Sequence, residues 1–179
     1  METVQRHGEE LAQAVDKLIG SEMKTVTGPL RTELVHFPVQ FSETPSREDL
    51  QARLQSESIY VRRHAAEMLR ILEQDGELMT EYPYTLQVLQ FGGDLTLVAL
   101  AGEVVVDYAL RLAQEVAASD LWVAAYCNDV FAYIPSRRIL EEGGYEADSS
   151  MMFYGLPASW DPSIEDSIVG QVSDVVARL

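Results

Sequence analysis

"LTLVALAGEVVVDYALRLAQEVAASDLWVAAYC", residues 95–127, is the stretch whose reading decides the fold. Its two ends, "LTLVALA" (95–101) and "LWVAAYC" (121–127), are continuous apolar runs of strand length. Unbroken runs of this kind belong to strands covered on both faces. Between them, "GEVVVDYALRLAQEVAA" (102–118) puts Val105, Tyr108, Ala109, Leu112 and Val116 on one helical face. Strand, helix, strand with short connections is a βαβ unit, so the spacing predicts two parallel strands joined by a right-handed crossover.

Working outward, "YTLQVLQF" (84–91) reads as a strand joined to 95–101 by the turn residues Gly92, Gly93 and Asp94. "ELVHFPVQF" (33–41) alternates, with Val35, Phe37, Val39 and Phe41 on one side and His36, Pro38 and Gln40 on the other. Pro38 has no N–H to give a ladder, which places this strand at a sheet edge. Ser46 is the expected cap of a helical region over 47–74, interrupted near Ser56–Ser58. Residues 7–19 form an amphipathic helix with Leu11, Val15, Leu18 and Ile19 on its apolar side, and Ser163 is expected to cap a last one bearing Ile164, Ile168, Val172, Val175 and Leu179. The expectation is an α/β fold in a single domain, 1–179. Its mixed sheet takes strands 33–41, 84–91, 95–101 and 121–127, covered by amphipathic helices.

Composition removes several function classes. The chain has 29 acidic and 13 basic residues, a formal net charge of −16. That balance excludes nucleic acid as a partner and disfavours anionic lipid surfaces. No run of apolar residues is long enough for a membrane span. A single cysteine, Cys127, leaves no internal disulfide and no multi-thiolate metal site. His7, His36 and His64 stand alone, without the paired spacing of metal ligands. Nucleophile-elbow, phosphate-loop and dinucleotide motifs are absent from the sequence, and nothing in it fixes a compartment.

The βαβ unit also says where chemistry can sit. The segments beyond the carboxyl ends of both parallel strands emerge at one edge of the sheet, where open α/β sheets hold ligands. Glu103 comes after the first strand, and the loop from Asn128 to Tyr133 after the second. Topology therefore brings a carboxylate to a tyrosine-bearing loop. Pattern alone also allows a plainer reading: Glu103 as a first-turn acid, Tyr133 as a packed loop tyrosine, Arg137 and Arg138 as solvated charges, Asn128 as a turn residue.

The same residues carry a resemblance. "LTLVALAGEVVVDYALRL" and, after it, "YCNDVFAYIPSRRILEEGGYEADSS" resemble the C-terminal part of the catalytic domain of the neutral/alkaline non-lysosomal ceramidases, in the shorter bacterial form. Three ordered pieces carry it over about residues 83–150: a Gly-Glu after an apolar strand, an Asn-initiated loop ending in tyrosine, and Tyr-Glu-Ala-x-Ser. The resemblance implies a zinc-dependent amidohydrolase that cleaves the amide of N-acylsphingosine-type lipids. Its zinc would be held by two histidines, a glutamate and a tyrosine. Glu103 takes the glutamate's place and Tyr133 the tyrosine's. Tyr145 takes the place of the tyrosine that stabilises the oxyanion. Asn128, Phe131 and Arg137 are the loop's candidates for substrate contact or for supporting the ligands. Ala101 stands where the family usually has proline, and Val130 where an aromatic is common.

The resemblance also sets a boundary. The family's two histidine ligands, and its catalytic serine and arginine, belong upstream of Met1, and none of His7, His36 and His64 matches their motifs. The chain is thus expected to be the C-terminal portion of a larger enzyme, inactive alone. Its two ligands are too few for tight zinc binding. A sheet parted from its covering segments leaves an apolar face open, which predicts a homo-oligomer or docking onto the upstream portion. The rival expectation is a non-catalytic binding or interaction module that keeps the fold without the chemistry.

Overall fold

The computed structural model describes residues 2–118 and 120–179. The sheet order is β1 (Leu30–Gln40), β2 (Glu81–Phe91), β3 (Leu95–Leu100), β5 (Leu121–Ala124). The first two pairings are antiparallel and the β3–β5 pairing is parallel, so the sheet is mixed and the βαβ unit is present. β1 lies at the edge. Its Pro38 faces Pro83 across the ladder, a pair from which neither residue can donate, where β2 has no second neighbour.

α4 (Val106–Glu115) is the crossover helix, shorter than 102–118 at both ends. At its start, Glu103 and Val104 are taken into a two-residue strand, β4, which pairs in parallel with β6 (Tyr133–Ile134). β5 likewise ends at Ala124 instead of continuing to Cys127. Tyr126 (φ 59°) and Asn128 (φ 65°) take left-handed backbone there, which no strand tolerates.

α4 and the last helix, α7 (Ile164–Arg178), cover the inner face of the sheet. Val88, Val98 and Leu100 meet Leu112, Ile168 and Val172 in the main core. Arg178 locks α7 to β1 through a bidentate pair with Glu33 at 2.7–3.0 Å. At the α7 N-terminus Ser163 makes no side-chain cap. Instead Asp161 accepts from the Ser163 amide and hydroxyl.

The remaining helices flank the site end of the sheet. α2 (Arg47–Arg53) begins in a capping box of Ser46 with Asp49, and the break near Ser56–Ser58 separates it from α3 (Ile59–Asp75). Leu50, Ala65, Met68 and Leu78 form their small core. α5 (Arg137–Glu142), a single π turn (Tyr145–Ser149) and α6 (Met151–Tyr154) come after β6. His64 on α3 ties this region down by donating to the Leu156 carbonyl at 2.7 Å.

Two surfaces depart from expectation. The apolar run of β3 predicts cover on both faces, yet its outward Leu95 and Leu97 are only half-buried, because both covering helices sit on the other side. α1 (Glu2–Ile19) is amphipathic as expected, but Leu11, Val15, Leu18 and Ile19 on its apolar side are all exposed. No helix among the described residues is long and apolar enough to cross a membrane.

Candidate active site at the carboxyl edge of the parallel strands

The site is built from a sharp change of direction after β3. Gly102 (φ 81°) turns the chain out of the main sheet into β4. Its amide donates to the Asp129 carbonyl at 2.7 Å and its carbonyl accepts from the Tyr126 amide at 2.9 Å. A Cβ there would lie 2.7 Å from Ile134 Cγ1 and 2.9 Å from the Ala132 oxygen. Only glycine fits so tight a turn against the neighbouring loop.

Short strands leave carbonyls without ladder partners, and buried carbonyls need donors. Three aromatic side chains supply them. Tyr84 donates to the Ala101 carbonyl at 2.9 Å, Tyr108 to Pro135 at 3.1 Å, and the Trp160 indole to Tyr133 at 2.9 Å. Tyr84, Tyr108 and Trp160 are fully buried, and burial drives both phenols far above their ordinary pKa, which keeps them as donors. Phe131 stacks on Tyr82 with ring centroids 3.9 Å apart, and Trp160 closes edge-on against both. Tyr82 also donates to Asp129 at 2.9 Å. Burial first, then that carboxylate, pushes its phenol up to about 12.

This frame places Glu103 directly opposite Tyr133 in the β4–β6 register. Tyr126 donates to Glu103 Oε2 at 2.9 Å and Tyr154 to Oε1 at 2.5 Å. Tyr133 lies beside the same carboxylate in a looser contact. Tyr145 meets Tyr133 edge-to-face at 5.7 Å, and Tyr154 does so at 6.4 Å. The hydrogen bond from Tyr154 first, then that from Tyr126 and the nearby Tyr133 phenol, hold Glu103 below its ordinary pKa despite partial burial. In return Glu103 raises the Tyr126 and Tyr133 phenols, while burial and then Glu103 raise Tyr154. The result is one ionised carboxylate ringed by neutral phenols.

Of the residues expected from sequence, Glu103, Tyr133 and Tyr145 come together here. Asn128 and Phe131 belong to the enclosing loop: Asn128 shapes it through a left-handed residue and a 3.4 Å bond to Gln87, and Phe131 packs it down. Arg137 is turned to α7, where its amide donates to Glu165 and its guanidinium pairs with Asp166 at 3.5 Å. Sequence reasoning does not find Tyr126 or Tyr154. Tyr126 is hidden because "AAYC" extends an apolar run. Tyr154 shows only as a further tyrosine in the segment after Tyr145.

A clamp holds the Tyr133 loop to the helix that begins just beyond Glu103. Asp107, in the first turn of α4, accepts from buried Ser136 at 2.5 Å and from both ends of the Arg138 fork at 3.1–3.2 Å. Arg138, then Ser136, holds the Asp107 carboxyl below its ordinary value of 3.8. A depressed carboxylate contributes stability that is complete above 3.8 and is lost as pH falls through its folded value. Asp107→Ala is therefore expected to cost about 1–3 kcal/mol at neutral pH, chiefly by orphaning Ser136, since exposed Arg138 is screened by water. Urea denaturation of both proteins at neutral pH and well below 3.8 checks this. The gap should shrink in acid, and an unchanged gap would contradict the clamp.

A recess opens beside Tyr154, and a second shares the walls His64 and Met152 with it. One, of about 430 Å³, runs from Tyr154 past Phe153, Met152 and Tyr60, bordered by Arg63 and Glu67. The other, of about 660 Å³, is more polar, with Ser46, Asp49, Arg53, His64 and Asp148 among its walls. Among the described residues, no group of three or more histidine, cysteine, aspartate or glutamate side chains is placed to hold a metal ion. The donors at Glu103 are one carboxylate and surrounding phenols, oxygen ligands that suit part of a zinc coordination sphere and leave the rest to be filled. No protein-family model matches the chain, and no curated protein matches it.

Proposed function

We propose that this chain supplies the glutamate–tyrosine half of the active site of a zinc-dependent amidohydrolase acting on N-acylsphingosine-type lipids. The observation that carries the reading is the direct pairing of Glu103 with Tyr133, with Tyr145 against that tyrosine. Zinc with an open position polarises an amide carbonyl and lowers the pKa of a bound water. Glu103, kept ionised by its phenol donors, is ready to ligate. Tyr133 would join it as a phenolate, so zinc binding here would release a proton and strengthen with pH. Tyr145, exposed at the rim, can aim its hydroxyl at the oxyanion of the tetrahedral intermediate. The apolar recess beside Tyr154 suits a hydrocarbon chain. The two histidine ligands of such a site would have to be supplied from outside these residues.

The test is fatty-acid release from N-acylsphingosine by the protein as its gene encodes it, with and without a zinc chelator. Zinc-dependent release is expected, and Tyr145→Phe should lower kcat by roughly 10²–10³ with little change in KM. No release from zinc-loaded protein, or an unchanged kcat in Tyr145→Phe, would overturn the reading.

One observation favours a second reading. Both Glu103 oxygens already accept good hydrogen bonds within the chain, as they would in a binding module without chemistry. Saturable binding of the amide lipid with no turnover, unaffected by chelator, would select it.

A further inference from the structure

We propose that the chain forms a dimer by exchange of α1, each α1 lying on the open outer face of its partner's sheet. Two unpartnered apolar surfaces in one chain carry this. On α1, Val4, Leu11, Val15 and Leu18 are 76%, 69%, 46% and 63% exposed. On the outer face of the sheet, Leu30, Leu34 and Trp122 are exposed, with Leu89 and Leu97 half-buried between them.

Charge marks the sheet face as one that becomes covered. The chain carries 29 acidic residues. Yet the outward positions of β1 from Leu30 to His36, of β2 from Gln87 to Phe91, of β3 and of β5 hold none. A protein this acidic keeps a wide neutral, apolar face where that face meets another surface.

The hinge favours exchange over self-docking. Bonds from the Gly20 amide to Asp16 and from Ser21 to Leu18 close the end of α1. Lys24 is already fixed to the sheet end by Asp120 at 2.7 Å, and Thr27 by Asp94 at 3.0 Å. Only Glu22 and Met23 lie between Ser21 and Lys24. Short hinges between an unpacked element and a fixed body are the setting for exchange between copies. α1 is about 27 Å long, comparable to the strands it would cross. For a stable two-fold dimer the two seats together need to bury roughly 1,200–2,000 Å². Because both copies are strongly acidic, added salt should strengthen the association.

The test uses the full chain, light scattering and tryptophan emission over a dilution series. Trp160 is buried in each copy, so a shift on dilution reports Trp122. A dimer with Trp122 emission shifted to the blue is expected. The double variant Leu11→Glu/Leu18→Glu, and separately Trp122→Glu, should each weaken the dimer at least about tenfold. These positions are exposed in the single chain, so the fold is retained. Mixing the two variants should restore a dimer, because the mixed pair keeps one intact helix and one intact sheet face. A chain monomeric at all concentrations, a dimer indifferent to the α1 substitutions, or failure of the mixture to associate would each overturn the proposal.

Discussion

Glu103→Gln is expected to lower zinc-dependent amide hydrolysis by at least about 10³-fold while leaving the fold intact. The two effects separate because the amide is close in shape to the carboxylate. Its oxygen can still accept from Tyr126 or Tyr154, so the ring of phenols keeps a partner. What the amide lacks is charge. A neutral oxygen cannot offset a cation as a carboxylate does, and it removes the anion toward which Tyr133 faces. Thermal unfolding should move little, whereas turnover and metal affinity collapse together. Near-native turnover in Glu103→Gln would remove Glu103 from the ligand set.

Gly102→Ala has the largest expected effect on stability, at least about 3 kcal/mol. Two costs add. The backbone at φ 81° is strained for any residue with a Cβ. The new methyl also meets a backbone oxygen, Ala132, which is fixed by its bond from the Glu103 amide at 2.8 Å. Relief would require pulling β6 from β4, and with it Tyr133 from Glu103. Gly93→Ala is the matched control, since nothing lies within 4 Å of a Cβ there and its backbone is not left-handed. Urea midpoints of the two variants should differ widely. Equal midpoints would contradict so tight a turn.

Much of the architecture is legible in the sequence because the informative residues are governed by local periodicity. The apolar runs around 95–101 and 121–127, with an amphipathic segment between, leave little choice but a parallel pair with a crossover. Pro38 marks the edge and Ser46 the cap for reasons intrinsic to each side chain. Expectation and structure part where long-range bonds override pattern. Glu103 and Val104 look like a helix start, and become strand because Ala132 and Ile134 offer carbonyls to Glu103 and Val105 from 29 residues away. Tyr126 looks like strand, and leaves it because the loop must turn back to bond Gly102. Periodicity records which side chains are apolar, and it gives β3 two covered faces without showing that both covering helices lie on one side.

The site is legible in outline from topology, which brings Glu103 and the Tyr133 loop to one edge, and from the family resemblance, which adds Tyr145. Its remaining tyrosines are not. Tyr126 and Tyr154 reach Glu103 only after the left-handed turn and the π turn have set their directions, and neither turn has a sequence signature of its own. The carbonyl-holding trio of Tyr84, Tyr108 and Trp160 is equally hidden, since each reads simply as a core aromatic.

Whether Glu103 and Tyr133 act on one cation can be read from crystals of the protein soaked in zinc and measured by anomalous diffraction at the zinc edge. The expected result is a peak about 2.0–2.2 Å from a Glu103 oxygen, with the Tyr133 phenolic oxygen as its neighbour. A zinc peak held by other residues, with Glu103 still bonded to Tyr126 and Tyr154, would contradict it.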